Sequence, residues 1–415
     1  MGGSGRRPDR LSTFTMRQGI LLMKNSLTSL CVSVSLGVLA VAGSTVVSST
    51  EANATTLSLA SLAEARPLLK TTGNHLDPRY LPSGDQKNGT VALLTPATGG
   101  GSMVCSGTVI SPTQILTAAH CVDGHDPRSS GYGSLAGDTR VYLGGYNSSP
   151  IMASSYDIHP LYFDPVVGAP AAGAFATGDI AIITLSEPVP AGTKIYGLYN
   201  GDAIGQVATH ISYGTVGNGD GTDEQLTLNT LSQGRIGKNL YEADLLTIFG
   251  EGLAGAHLLY DFDDGTPERN GMAWWASPDL VDLGNGLYTV VVDPSLYPDL
   301  GLGLDEVMID GGDSGGGAFI DGLLAGVHSF GVTLSALWCD GIASPSNPEI
   351  TNPADATCGS DSSFGELGGD TSVAYFYDWI MARLNLPSVE VPAPATLALF
   401  GFGVFALGLG RRRRA

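Results

Sequence analysis

Hydrophobic positions in this chain come in short runs rather than long stripes. Val91-Ala92-Leu93-Leu94, Val104-Cys105-Ser106-Gly107-Thr108-Val109-Ile110, Val141-Tyr142-Leu143-Gly144-Gly145-Tyr146 and Ile180-Ala181-Ile182-Ile183-Thr184-Leu185 are rich in β-branched side chains and bounded by Gly, Pro and Ser. That pattern predicts strands. No sustained helical period appears before Phe376-Tyr377-Asp378-Trp379-Ile380-Met381-Ala382-Arg383-Leu384, where a short C-terminal helix is expected. Glycine is abundant, at 58 residues, and only 14% of the chain is charged, which suits tight turns and short strands. Many short strands joined by turns point to an all-β barrel or sandwich.

Two apolar runs stand apart from the strands. The first, from about Leu27 to Ala42, follows Arg6, Arg7, Arg10, Arg17 and Lys24. This is the layout of a signal peptide with a long basic leader, read here as residues 1–54. Small-residue sites follow Ala42 and Ala54, and an uncleaved anchor is the alternative. Residues 55–90 are polar and patternless and read as an extension or propeptide. The second run, 397–410, sits between Val391-Pro392-Ala393-Pro394-Ala395-Thr396 and Arg411-Arg412-Arg413-Arg414. At 14 residues it is short for a permanent span of about 20. It would enter a membrane while the arginines stay cytoplasmic. The tripartite tail, 386–415, resembles the PEP-CTERM sorting signal of Gram-negative bacteria, with Ala393 where that signal usually has glutamate. The resemblance implies export to the periplasm, cell surface or medium, a transient inner-membrane anchor, and an exosortase-type processing enzyme as partner.

The net charge of −20 argues against a nucleic-acid partner, which needs a basic face. Of the five cysteines, Cys31 lies in the first apolar run. Cys105 and Cys121 bracket His120, so a disulfide between them would pin the histidine segment. Cys339 and Cys358 are the remaining pair. Disulfides imply an oxidising compartment, and no CxxC spacing suggests zinc.

The chemistry lies in three motifs. Ile309-Asp310-Gly311-Gly312-Asp313-Ser314-Gly315-Gly316-Gly317 sets a serine in a glycine run. Glycines allow a tight turn that aims two amide N–H groups at one point. Upstream stand Leu116-Thr117-Ala118-Ala119-His120-Cys121 and Gly178-Asp179 at the head of the Ile180–Leu185 strand. A serine hydroxyl needs a base near neutrality, which histidine supplies. A carboxylate heading an apolar strand needs a donor, which the histidine ring supplies in turn.

Motifs, order and the paired cysteines resemble the chymotrypsin/trypsin-like serine protease family. The resemblance covers 91–385, with insertions near 241–300 and 338–369. It implies two antiparallel six-stranded β-barrels with a short C-terminal helix, the second barrel beginning at Ser212-Tyr213-Gly214. It implies His120, Asp179 and Ser314 as a catalytic triad, the N–H groups of Gly312 and Ser314 as an oxyanion hole, and Ser329-Phe330-Gly331 along the substrate, with Ser329 against Asp179. Met308 stands where trypsin-type members carry an aspartate below the substrate side chain, so an apolar P1 residue is expected. Asp310 would change that reading if it faced the pocket instead. Gly331, with Gly368 or Gly369, would leave the pocket walls open.

No Ile-Val-Gly-Gly motif follows a basic residue. Arg79-Tyr80 stands at about the right distance before Cys105 but continues Leu81-Pro82, so Asp313 is left to find a partner other than a new amino terminus. His125, His159, His210, His257 and His328 read as structural, and His75 lies in the extension. Asp261-Phe262-Asp263-Asp264-Gly265 has oxygen donors for calcium, but its spacing departs from the calcium-loop pattern and it reads as a solvated acidic turn. No cofactor or metal is expected. The chain is thus expected to be an exported serine endopeptidase acting on proteins or peptides. The competing readings are a catalytically silent trypsin-like surface binding module and a membrane-anchored surface protein whose function lies in its insertions.

Overall fold

The computed structural model describes residues 69–98, 100–164, 177–214, 216–221, 233–250, 252–276, 279–284, 287–291, 293, 295–332, 349–350 and 361–384. The signal-peptide reading, the Cys339–Cys358 pair and the C-terminal tail lie outside these residues. After β1 (Lys70–Thr71) come α1 (Gly84–Asn88) and six strands. They are β2 (Thr90–Pro96), β3 (Ser102–Ser111), β4 (Gln114–Thr117), β5 (Arg140–Leu143), β6 (Ile151–Ile158) and β7 (Ala181–Leu185). These six close into a barrel in the order β2-β3-β4-β7-β6-β5. β2 has no polar face. Val91 and Leu93 join Val109, Ile115, Val141 and Ile183 in one core cluster. Ala92 and Leu94 pack with Val104, Tyr142, Tyr146 and Tyr213 in another. A strand covered on both sides must be apolar throughout, so it shows in the sequence as a continuous run.

The second half contains β8 (Val207–Ser212), β9 (Gly217–Asn218), β10 (Arg235–Leu240), β11 (Ala243–Asp244), α2 (Leu245–Phe249), β12 (His257–Asp261) and α3 (Gly271–Ala276). There follow β13 (Asp279–Gly284), β14 (Leu287–Val291), β15 (Val307–Met308), β16 (Gly317–Ile320), β17 (Leu323–Val332), β18 (Glu349–Ile350), β19 (Leu367–Ser372) and α4 (Tyr377–Met381). The expected second barrel takes the form of a half-barrel. The strands form a curled seven-stranded sheet, ordered β10-β8-β16-β17-β19-β12-β11. The free edge of β10 meets the chain that leads into β15. Lys238 forms a parallel bridge with Glu306. Val307 fills the space over Gly237, where a Cβ would stand 2.1 Å from its methyl carbon. The Asn239 amide spans the gap, donating to Asp261 O (2.6 Å) and Val307 O (3.0 Å). The sheet starts at Val207, ahead of the expected Ser212.

Part of the segment read as an extension is built into this half. β1 pairs antiparallel with β15, Lys70 opposite Met308, and parallel with β9. Leu69, Lys70, Thr71 and Tyr80 are buried, and the Tyr80 hydroxyl donates to Leu304 O at 2.6 Å. A two-residue strand has no period for a sequence reading to detect. α4 is shorter than the expected helix. It buries Ile380 in the barrel core, and Gln114 Nε2 of the barrel donates to Arg383 O just beyond it, at 2.7 Å.

The acidic turn is not solvated as a whole: Asp261 and Asp263 are buried and only Asp264 is exposed. Burial raises Asp261, and burial with the neighbouring Asp261 and Glu306 carboxylates pushes Asp263 up to about 11. A separate buried network joins Asp370 to His328 Nδ1 at 2.9 Å and to the Tyr241 hydroxyl. His210 stacks on His328, and burial pushes His210 down to about 3, so that ring is neutral. Among the described residues no helix is long and apolar enough to cross a membrane.

Cys105 and Cys121, 16 positions apart, are joined by a disulfide. Replacing both by serine is expected to cost about 3 kcal/mol, the entropy of a loop of this length. The urea midpoints of the two proteins measure that loss. Equal midpoints would mean the bond does not form in the native protein.

Candidate active site

His120 lies on a 3₁₀ turn, Ala119–Cys121, directly after β4. Its neighbour Cys121 is tied to β3 through Cys105, so the turn is held on both sides. Asp179, just before β7, meets it with both carboxylate oxygens. Oδ1 accepts the His120 backbone N–H at 2.9 Å, and Oδ2 lies 2.7 Å from His120 Nδ1. Ser329 Oγ donates to the same Oδ2 at 2.5 Å, and Thr371 Oγ1 donates to Asp179 O at 3.0 Å. Asp179 is therefore fixed by groups from the barrel and from β17 and β19.

The electrostatics follow from this contact. Burial alone would raise the pKa of Asp179, but the charge and hydrogen bonds of His120, with the Ser329 bond, outweigh it and hold the carboxyl below its ordinary value. Burial alone would lower the pKa of His120, but the Asp179 charge and hydrogen bond win and leave it raised. Nδ1 thus carries a proton toward Asp179, and Nε2 is the basic position. The His120 side chain is 33% exposed.

Ser314 is half-buried in the turn between β15 and β16. Gly315 has φ +80°, and a Cβ there would stand 2.0 Å from Thr117 Oγ1 and 2.4 Å from Ser106 O. Only glycine lets this loop lie directly on the strand end that carries His120. Ser106, inside β3, braces the loop: its N–H donates to Ser314 O (2.8 Å), and its Oγ donates to Gly312 O (3.2 Å) and accepts from Tyr213 N (2.8 Å). Gly312 takes φ +91°, which also favours glycine. Backbone hydrogen bonds engage the N–H groups of Asp313, Gly315 and Gly316, whereas those of Gly312 and Ser314 make none among the described residues. No hydrogen bond joins Ser314 Oγ to His120. Such contacts are often long in unliganded sites.

The remaining expected residues fall as follows. Ser329 and Phe330 are half-buried on β17 and Gly331 is exposed. A Cβ on Gly331 would meet only Leu367 O, at 3.8 Å, but Gly368 and Gly369 are covered by the rings of Tyr260 and Phe330, so those two leave no gap in a pocket wall. Met308 is fully buried in the second core cluster, among Val307, Ile309 and Tyr260. Asp310 is engaged elsewhere. Its carboxylate lies 3.6 Å from the ammonium of the fully buried Lys70. Asp313 accepts from Gly214 N (3.2 Å) and Asp310 N (2.9 Å), and burial pushes it up to about 7. The buried cation of this loop thus comes from a lysine side chain, paired one step from Asp313. Lys70, Ser106 and Thr371 were not legible as site residues. A serine in a β-run and a lysine in a polar stretch look like any others.

Residues 86–249 match the family model for trypsin, and residues 390–414 match the PEP-CTERM protein-sorting motif. A trypsin from Saccharopolyspora erythraea is 30% identical over 100 residues, covering 24% of this chain and 37% of its own length. A brachyurin from Leptuca pugilator is 31% identical over 119 residues, covering 27% of this chain and 41% of its own. This chain therefore spans about two fifths of the length of the curated relatives it matches. A solved HL collagenase structure aligns with 74% of this chain and 98% of its own, at 17% identity and a TM-score of 0.44. The chain carries a trypsin-family segment, residues 86–249, and a PEP-CTERM protein-sorting motif, residues 390–414.

Proposed function

We propose that this chain is an exported serine endopeptidase that cleaves peptide bonds through an acyl-enzyme. The grip of Asp179 on His120, through the ring and the backbone together, carries the reading. It fixes the tautomer in which Nε2 can take a proton. In that mechanism Ser314 Oγ attacks the substrate carbonyl and gives its proton to His120 Nε2. The oxyanion is received by the N–H groups of Gly312 and Ser314. The imidazolium then gives its proton to the leaving amine, and water repeats the sequence to release the acid. Ser329, Phe330 and Gly331 line the substrate side. The competing reading is a silent binding module, in which Ser314 would be inert.

An apolar P1 residue fits the buried Met308 and the neutralisation of Asp310 by Lys70, because an apolar pocket base leaves a substrate cation without a partner. The wild-type protein is expected to react with an active-site phosphonate at Ser314 and to cleave peptides with Leu, Met, Phe or Ala at P1 faster than those with Arg. Ser314→Ala is expected to fold and retain at most about 10³–10⁴ over the uncatalysed rate. Full activity in that variant would exclude the proposal, and unlabelled Ser314 in folded wild type would favour the binding module.

The pH dependence follows from the raised His120 pKa. The base must be neutral, so kcat/KM is expected to fall as pH drops through a value above 6.5. Asp179→Asn removes the charge that raises it while burial remains. The acid limb should then move to lower pH, and kcat should drop by roughly 10⁴ through loss of the correct tautomer. An unmoved acid limb would show that another group titrates.

The sorting motif supports delivery to the cell envelope, with the tail in the inner membrane until an exosortase-type enzyme removes it. Mature exported protein is expected to end between Pro392 and Thr396. C-terminal mass spectrometry reads this directly, and an intact Arg411–Ala415 end on most molecules would instead indicate a lasting anchor.

A further inference from the structure

A fully buried lysine stands beside the serine turn, and the proposed chemistry does not use it. Lys70 is 0% exposed, and lysine is almost never so buried unless a charge meets it. β1 sets it in place. Lys70 lies opposite Met308 on β15 and alongside Gly217 on β9. Thr72 adds two bonds to the same edge, its N–H and its Oγ1 both donating to Glu306 O, at 3.3 and 2.9 Å. Two residues after Met308 comes Asp310, and the Lys70 ammonium lies 3.6 Å from Asp310 Oδ2.

The other oxygen of that carboxylate is in use inside the turn. Asp310 Oδ1 accepts the Gly311 N–H at 2.7 Å, and the Asp310 N–H donates to Asp313 Oδ2 at 2.9 Å. Asp313 N donates back to Asp310 O at 3.1 Å and closes a four-residue turn with Gly311 and Gly312 at its centre. Gly312, at φ +91°, fits the third position of a type II turn. The peptide between Gly311 and Gly312 carries the Gly312 N–H, one of the two donors assigned to the oxyanion. This central peptide is the one that turns over between type I and type II, which sends its N–H to the opposite face. Its two neighbours are clamped. The peptide ahead is held by Asp310 Oδ1 on Gly311 N, and the peptide behind by Ser106 Oγ on Gly312 O, at 3.2 Å. The first clamp is a carboxylate bonded to the same turn as a second, the fully buried Asp313, whose pKa burial raises and the Asp310 charge raises further. Without a cation the two acids repel, and the Asp310 side chain, 14% exposed, has a way out toward water.

We infer that Lys70 is a positioning residue for the proposed hydrolysis: its ammonium keeps the Asp310 carboxylate on the Gly311 N–H, and so fixes the peptide that presents the Gly312 N–H to the oxyanion. The inference rests on the endopeptidase reading. Lys70 touches neither substrate nor reacting atoms and acts through Asp310 and the turn. The short strand ahead of the barrel is thereby part of what sets the oxyanion donors.

Peptide-anilide kinetics and phosphonate labelling of the purified full chain test this. Lys70→Met keeps an apolar stem in the strand and removes the charge. Its kcat is expected to fall by roughly 10²-fold, the cost of one misdirected oxyanion donor. KM should stay within about twofold, because that donor acts on the transition state rather than on bound substrate. Adding Asp310→Asn removes the charge that the lysine offset, while the Asn side-chain oxygen can still accept the Gly311 N–H. The double variant Lys70→Met/Asp310→Asn is therefore expected to regain at least about tenfold of the lost kcat, since neutral groups can replace a buried ion pair. A lysine needed only for packing would give no such recovery, so an unrecovered double variant overturns the inference. So does a kcat for Lys70→Met within about twofold of wild type. If Lys70→Met does not accumulate, Lys70→Met/Asp310→Asn is compared with Lys70→Met/Asp310→Ala, which has no side-chain oxygen for the Gly311 N–H. The alanine form is expected to be at least about tenfold slower in kcat, and equal rates overturn the inference. Wild type that neither cleaves the anilide nor takes the phosphonate at Ser314 would instead remove the endopeptidase reading itself, and the inference with it.

Discussion

A single buried carboxylate joins the two halves of this protein. Asp179 accepts hydrogen bonds from the backbone and ring of His120, which belong to the barrel, and from Ser329 on the second sheet. Its carbonyl is held by Thr371. An ionised carboxylate taken out of water must be compensated by donors, and here they come from chain segments far apart in sequence. The arrangement is therefore possible only when barrel and sheet are docked. The need to satisfy Asp179 and the alignment of His120 are one constraint, and removing any donor would loosen both.

The second constraint is steric. Gly315 lies so close to Thr117 and Ser106 that no larger residue fits, and Ser106 stitches the same loop to β3 from beneath. The barrel thus supplies the floor on which the serine loop of the other half is moulded. The disulfide keeps that floor and the histidine turn in one piece. Two N–H groups of the loop remain without acceptors while those around them are engaged. Backbone donors normally find partners, and among the described residues these two have none.

The strands of the first barrel were legible because each is an apolar run bounded by turn residues. His120, Asp179 and Ser314 stood out because their neighbours have few other reasons to occur together. The rest depended on pairings that leave no local trace. β1 is two residues long and contributes through long-range ladders. At the edge of the second sheet, Glu306 and Val307 lie against β10, a long-range contact that no strand pattern records. The acidic turn misled for a related reason: its polarity was plain, but whether it faced water or other acids depended on segments up to 45 residues away, as from Asp261 to Glu306. Likewise, Lys70 looked like part of a polar lead-in until its burial opposite Met308 was seen.

That lysine ties the segment ahead of the barrel into the second half. Lys70 and Thr71 are strand material between β15 and β9, and the Lys70 ammonium is the cation beside Asp310. Trimming after Ala42 or Ala54 stops short of Leu69 and leaves this wedge intact. Trimming past Lys70 would leave Asp310 and Asp313 adjacent in a buried loop, two acids without the cation between β15 and β9. Loss of residues from the N-terminal side could therefore reach Leu69 without touching the ladder, and one step further would dissolve it.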